Sequence, residues 1–235
     1  MYSSDRLVIL DADGTTIDAF SAIERTFAHH GMSIGPLARF QKRRNMFKYL
    51  GGLKEFPRNL RKQFAGRKRS QLIDTLTEVY REEAVLYPGI DTLLLRLADQ
   101  PDLRVGVVTR NITREPLLTL ERLFRRQGVD PGRFDFLVHL PLREEKLTAF
   151  RDLRARFAVN PARAYACGDE AKDYVAAVGS GMYPFMVSYG FEDFARLTGR
   201  HGIPAEVIAD TPAELCARVQ NALGIESATG GESSA

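Results

Sequence analysis

An α/β fold, with a doubly wound parallel sheet as core and an α-helical cap domain inserted into it, is predicted by three observations on this 235-residue sequence. A short, wholly apolar run stands at 7–10, and similar runs recur at 105–108, 136–140, 164–167 and 184–187, with a weaker one at 207–209. Runs of that length suit strands buried on both faces of a parallel sheet. Helix-like stretches separate them at 115–127, 144–157, 171–179, 192–199 and 212–223. One interval, 19–86, breaks the alternation, offering helical stretches at 20–30, 36–48, 57–64 and 70–85 without a convincing strand. Alternating strand and helix imply right-handed crossovers in a Rossmann-like sheet, with ligands gathered outside the carboxyl ends of the strands.

Each element has its own justification. The first run, Leu7 to Leu10, ends directly on Asp11. The inserted interval closes on Tyr87-Pro88-Gly89, which couples a fixed φ to a permissive glycine and suits a hinge or a sharp return to the core. Pro116 stands near a helix start, where its missing N–H has no intrahelical partner to lose. Leu147, Phe150, Leu153 and Phe157 fall three or four apart, the spacing of one buried helical stripe. The expected organisation is therefore a core of residues 1–18 and 87–225, a helical cap of 19–86 and a flexible tail of 226–235.

Composition narrows the function classes. A chain that is 44% hydrophobic and 27% charged is an ordinary globular protein, which excludes wholesale disorder. Cys167 and Cys216 form no CxxC pair, so neither a disulfide framework nor a cysteine-built zinc site is expected. The N-terminal stretch has neither the length nor the charge order of a signal peptide, and no run approaches the ~18 apolar residues of a membrane span. A reducing, cytoplasmic setting is the expectation. The net charge of +3 conceals a basic interval between residues 39 and 69, where twelve Lys and Arg residues face Glu55 alone. Such a field concentrates anions; the alternative is a solvated helical face, with nucleic acid a weaker third reading because the interleaved aromatics serve equally well as core.

The strongest chemical signal is Asp11-Ala12-Asp13-Gly14-Thr15, placed immediately after the first buried run. Two carboxylates one residue apart at a strand end point differently, and Gly14 allows a steep turn. Thr109 ends the second run, Lys146 is the only lysine between Asn111 and Gly168, and Gly168-Asp169-Glu170-Ala171-Lys172-Asp173 follows the run at 164–167. In that order these motifs resemble those of the haloacid dehalogenase superfamily, in particular its phosphoglycolate phosphatase-like branch with an inserted helical cap. One departure is visible: many relatives place Pro after the motif lysine, and here Leu147 follows.

The resemblance implies a Mg²⁺-dependent phosphatase acting on a small phosphorylated metabolite. Asp11 would be the nucleophile and Asp13 the general acid and base. Thr109 and Lys146 would bind the substrate phosphate. Asp11, the backbone carbonyl of Asp13, and Asp169 would hold the metal, with Asp173 orienting that shell or contributing through water. Chemistry agrees, because a carboxylate approaches an anionic phosphate ester only when cations offset the repulsion. Arg110 and Asn111, beside Thr109, are further candidates for touching substrate, although an arginine there can equally pair with an acidic neighbour. A phosphomutase of the β-phosphoglucomutase type shares the same core residues, and a catalytically idle polyanion-binding module is the alternative from another class. Asp13 argues against dehalogenase chemistry, which has no alkoxide to protonate. His29, His30, His139 and His201 have no ligand spacing to one another, and burial rather than reactivity is expected of Cys167.

Overall fold

The computed structural model describes residues 1–33 and 69–225. Six strands, β1 (Arg6–Leu10), β2 (Leu103–Thr109), β3 (Phe136–His139), β4 (Ala164–Gly168), β5 (Tyr183–Val187) and β6 (Ile208–Ala209), form one sheet. Its order is β3-β2-β1-β4-β5-β6, and every pair is parallel. The helices are α1 (Ala19–His29), α2 (Arg69–Glu82), α3 (Ile90–Ala98), α4 (Pro116–Arg126), α5 (Lys146–Arg156), α6 (Ala171–Gly179) and α7 (Pro212–Leu223). Among the described residues no helix is long and apolar enough to cross a membrane.

The apolar runs become strands because both faces of the sheet are covered. Leu7, Val8, Ile9 and Leu10 have no exposed surface. Successive strand side chains point to opposite faces, and accordingly Val8 and Leu10 join one core with residues of α3, α4 and α7. Leu7 and Ile9 join the other, with Phe150 and Leu153 of α5 and Ala176 and Ala177 of α6. Buried residues of α1 and α2, including Phe20, Ile23, Phe27, Leu72 and Leu76, extend the first core. Gly106 is required by packing: a Cβ there would lie 2.1 Å from the backbone oxygen of Phe136 on the adjacent strand.

Helix ends follow local chemistry. Asp18 caps α1 by accepting from the Ser21 N–H at 3.0 Å. Thr211 caps α7 by accepting from the Glu214 N–H at 3.1 Å, Pro212 follows as the first helical residue, and Gly224 ends the helix at φ 63°. The helix predicted at 144–157 begins at Lys146, with Glu145 extended and making no side-chain cap.

Three sequence expectations meet a different outcome or none. Residues 90–98, where no helix is predicted, form α3; its apolar residues are so dense that no period stands out, yet Ile90, Leu93, Leu94 and Leu97 are the ones buried in the core, with Leu95 and Ala98 packed at its edge. The stretch 192–199, expected to be helical, is helical from Phe194 to His201, with a π-helical turn at Arg196–Arg200. Its start is drawn elsewhere: the Glu192 carboxylate accepts from the Ala171 N–H at 2.6 Å and from Arg196 Nε at 3.2 Å. The stretches at 36–48 and 57–64, the basic interval apart from Arg69, and the tail of 226–235 lie outside the described residues.

The chain leaves and rejoins the sheet region at adjacent points. Asp18 N–H donates to Val85 O at 3.0 Å and Tyr87 N–H to Thr16 O at 3.0 Å, with Ile17 bridging Leu86 between them. The segment that departs at α1 and returns after α2 is thus tied at its base by backbone hydrogen bonds.

Candidate active site

Topology brings the site together. β1 lies between β2 and β4, so Asp11, Thr109 and Asp169 emerge from the carboxyl ends of neighbouring strands. The chain order reverses between β1 and β4, the switch point at which open parallel sheets open a crevice. Lys146 reaches the same crevice from the first turn of α5.

The charges there are close and largely dry. Lys146 Nζ stands 2.7 Å from Asp11 Oδ1 and 2.6 Å from Asp173 Oδ1. One carboxylate oxygen from each of Asp11, Asp169 and Asp173 lies within 4.8 Å of the others, and all three residues are buried. Burial pushes the Asp11 carboxyl up to about 7, against the opposing pull of Lys146, and the Asp173 charge adds to the rise. Burial likewise holds Asp169 well above the ordinary carboxylate range, with Asp11 and Glu170 adding to it. Burial alone would lower Lys146, but Asp11 and Asp173 more than reverse this and raise it.

Asp169 sits in a cradle of backbone. Its Oδ2 accepts from the Phe191 N–H at 2.6 Å. A Cβ at Gly14 would come within 2.3 Å of that oxygen, and one at Gly190 within 2.5 Å of it and 2.4 Å of Gly14 O. Gly14 also has φ +84°, so the turn after Asp13 needs glycine for both conformation and space. The other oxygen, Asp169 Oδ1, is buried and has no hydrogen-bond partner among the described residues. An orphaned buried carboxylate oxygen costs free energy unless something meets it. In a residue clustered with two further carboxylates, it fits a hard divalent cation with oxygen ligands.

Asp173 does two things at once. Its Oδ1 accepts from Lys146, and its Oδ2 accepts from the Glu170 N–H at 3.0 Å as part of the capping box that starts α6. Gly168 permits this, because a Cβ there would lie 2.2 Å from Asp173 Cβ.

Asp13 is partly exposed and is held by different partners. Tyr80 of α2 donates from Oη to Asp13 Oδ1 at 2.7 Å, and Asn111 Nδ2 lies 3.0 Å from both Asp13 oxygens. Burial raises the Asp13 carboxyl above its ordinary value, and the bonds from Tyr80 and Asn111 pull it back. Thr109 is fully buried, and its Oγ1 accepts from the Asn111 N–H at 3.1 Å. A hydroxyl that accepts still carries its own hydrogen to donate.

The structure thus gathers Asp11, Lys146, Asp169 and Asp173 at one point and brings Asn111 onto Asp13 beside them. Arg110 engages Glu170 at 3.1 Å, the acidic pairing anticipated as its alternative. Tyr80, Gly190 and Phe191 were not among the sequence candidates. Gly190, shortly after an apolar run, was the one available signal; nothing in the local pattern around Tyr80 marks it. His29, His30 and His139 bond Glu83, Thr75 and the Asn111 carbonyl, and His201 lies 3.4 Å from Glu192. Cys167 and Cys216 are free thiols; Cys167 is buried, which raises its pKa.

No protein-family model and no curated protein matches this sequence. Solved structures do. A haloacid dehalogenase-like hydrolase from Streptococcus pneumoniae aligns at 20% identity with a TM-score of 0.57, over 92% of this chain and 99% of its own. A protein described as a predicted phosphoglycolate phosphatase, from Haemophilus somnus, aligns at 19% identity and TM-score 0.62, over 93% and 99%. CbbY from Rhodobacter sphaeroides, solved in complex with phosphate, aligns at 21% identity and TM-score 0.60, over 92% and 96%. At these identities the likeness is one of architecture, and it runs through almost every described element: the chain has the fold of the haloacid dehalogenase-like hydrolases.

Proposed function

We propose that this chain is a divalent-cation-dependent phosphoric monoester hydrolase that releases phosphate from a small phosphorylated metabolite through an aspartyl-phosphate on Asp11. The observation that carries the reading is the dry meeting of Asp11, Asp169 and Asp173, two of them paired with Lys146, with Asp169 Oδ1 buried and unpartnered among the described residues. Such an arrangement is costly in an idle protein and useful where an anionic nucleophile must meet an anionic ester.

Asp11 and Asp169, with the backbone carbonyl of Asp13, would hold Mg²⁺, and Asp173 would orient that shell or reach it through water. Such a cation offsets the repulsion between carboxylate and phosphate and favours the ionised form of the buried acids. Lys146 supplies a fixed positive charge that favours ionised Asp11 and lies where phosphoryl oxygens would gather; Thr109 offers them a hydroxyl. Asp11 attacks phosphorus in line as the bond to the leaving oxygen breaks, and Asp13 gives that oxygen its proton. Asp13 then takes a proton from a water whose oxygen bonds phosphorus, and Asp11 is released with inorganic phosphate.

The interval 19–86 is proposed as a cap over this crevice, with hinges at the Ala19 entry and the Pro88-Gly89 exit. The fold and the free thiols suit a cytoplasmic enzyme. A phosphomutase would share the same core residues and return the phosphoryl group to a second hydroxyl, so product analysis separates the two.

Turnover of p-nitrophenyl phosphate in Mg²⁺, with and without chelator, tests the proposal. Hydrolysis that stops on chelation and is lost in Asp11→Asn is the expected result. Activity surviving full chelation refutes the cation, and an Asp11→Asn variant at wild-type rate refutes the nucleophile.

A further inference from the structure

We infer that Tyr80 is a positioning residue for Asp13: from α2 its phenol, together with the Asn111 amide, selects which Asp13 oxygen exchanges the proton with the leaving group. The inference rests on the phosphohydrolase reading above and adds to it a residue 67 positions from Asp13 in sequence.

A carboxylate that can rotate offers two equivalent oxygens. Here they are made unequal. Oδ1 accepts from Tyr80 Oη at 2.7 Å and from Asn111 Nδ2 at 3.0 Å, whereas among the described residues Oδ2 accepts only from Asn111 Nδ2, at 3.0 Å. The lone-pair capacity for a proton in transit therefore lies on Oδ2, and the shared Asn111 nitrogen fixes the plane of the group.

Both arms of this clamp are themselves anchored. The Asn111 side-chain oxygen accepts from the Thr113 N–H at 2.9 Å and from the Thr113 hydroxyl, which settles the orientation of the amide and turns its nitrogen toward Asp13. Tyr80 is only 1% exposed. One turn before it, Thr77 Oγ1 accepts from the Arg114 N–H at 2.8 Å, and the next residue, Arg81, donates from Nε to Thr119 Oγ1 at 3.1 Å and pairs with Glu115 at 3.2 Å. The stretch from Asn111 to Thr119 thus carries one arm directly and docks the helix that carries the other. α2 is docked on the same stretch, 111–119, that presents Asn111 to Asp13, so the helix and the proton-transferring group share one frame.

Positioning of this kind matters in proportion to how much the leaving group needs a proton. The test is the leaving-group dependence of kcat/KM, which reports steps up to phosphoryl transfer onto Asp11. A series of aryl phosphates whose phenols span pKa values from about 5 to about 10 serves as probe. In Tyr80→Phe, the best leaving groups should react within about twofold of wild type and the poorest about tenfold or more slowly, giving a steeper dependence on leaving-group pKa. A uniform loss across the series marks a structural role and overturns the inference, as does no loss at all. Thr113→Val, which removes the hydroxyl bond to the Asn111 side-chain oxygen and keeps the backbone one, should tilt the series in the same direction to a smaller extent. It carries the test should Tyr80→Phe fail to fold, and a flat response then overturns the inference. Wild-type protein inert toward every ester sinks the phosphohydrolase reading itself, an outcome distinct from active protein with an unchanged slope.

Discussion

Lys146 and Asp173 face each other at 2.6 Å with 3% of either side chain exposed, and the same ammonium nitrogen stands 2.7 Å from Asp11. One buried cation therefore serves two buried carboxylates. Removing one partner of a buried pair leaves a charge without compensation, which typically costs about 3–5 kcal/mol. Lys146→Met should lose stability of about that size at neutral pH in urea unfolding of the metal-free protein, and should lower kcat/KM by about a hundredfold or more. A variant with wild-type stability and turnover would show that the ammonium has no role in either.

Gly190 predicts a cation phenotype. A Cβ at this position meets Asp169 Oδ2 at 2.5 Å and Gly14 O at 2.4 Å, so alanine must push the Asp169 carboxylate from its seat. Gly190→Ala should raise the Mg²⁺ concentration for half-maximal activation by about tenfold or more, the range seen when groups supporting metal ligands are disturbed. Titration of activity against Mg²⁺ measures it directly. The same variant should show a smaller rise in melting temperature on adding Mg²⁺ than wild type, because a ligand stabilises only in proportion to its affinity for the folded state.

The pH dependence of stability follows from Asp11. Burial raises its carboxyl from 3.8 to about 7 in the folded, metal-free protein. A folded-state value above the unfolded one means that the protonated form is favoured by folding. The contribution is fully present below about 4 and is lost as pH rises through about 7. Measured against Asp11→Asn, which cannot ionise, metal-free wild type should become progressively less stable across that window. A difference that stays constant, or runs the other way, would contradict the burial of this carboxyl.

Gly106 gives a test of the sheet alone. Alanine would place a methyl group 2.1 Å from Phe136 O and 2.6 Å from the Phe136 ring, between β2 and β3, where neither backbone can yield without breaking the ladder. Gly106→Ala should cost about 1–3 kcal/mol or more by urea unfolding. In contrast Asp74→Ala, which removes an ion pair with Arg114 that is more than half exposed on both sides, should stay within about 1 kcal/mol of wild type.

Much of this architecture was legible in the residues. The runs at 7–10, 105–108, 136–140, 164–167 and 184–187 all became strands, because a continuous apolar run flanked by polar residues has one good solution when both faces are covered. The helices predicted at 115–127, 144–157, 171–179 and 212–223 formed within two residues of those bounds, each with local apolar spacing or end signals. Where local pattern and tertiary demand diverged, pattern lost. The helix expected at 192–199 begins only at Phe194, because Phe191 and Glu192 before it are committed to Asp169 and Ala171, contacts invisible to any window along the chain.

The sequence by itself determined which residues end the strands, and so placed Asp11, Thr109, Lys146 and Asp169 at the ends of elements where chemistry gathers. Only the tertiary structure decided who meets whom. It set β4 beside β1, seated Asp169 between Gly14 and Gly190, turned Arg110 onto Glu170, and brought Tyr80 of α2 to Asp13. The reason is physical: strand and helix formation follow from neighbours a few positions apart, whereas strand order and docking depend on how whole buried faces fit one another, which no short stretch encodes.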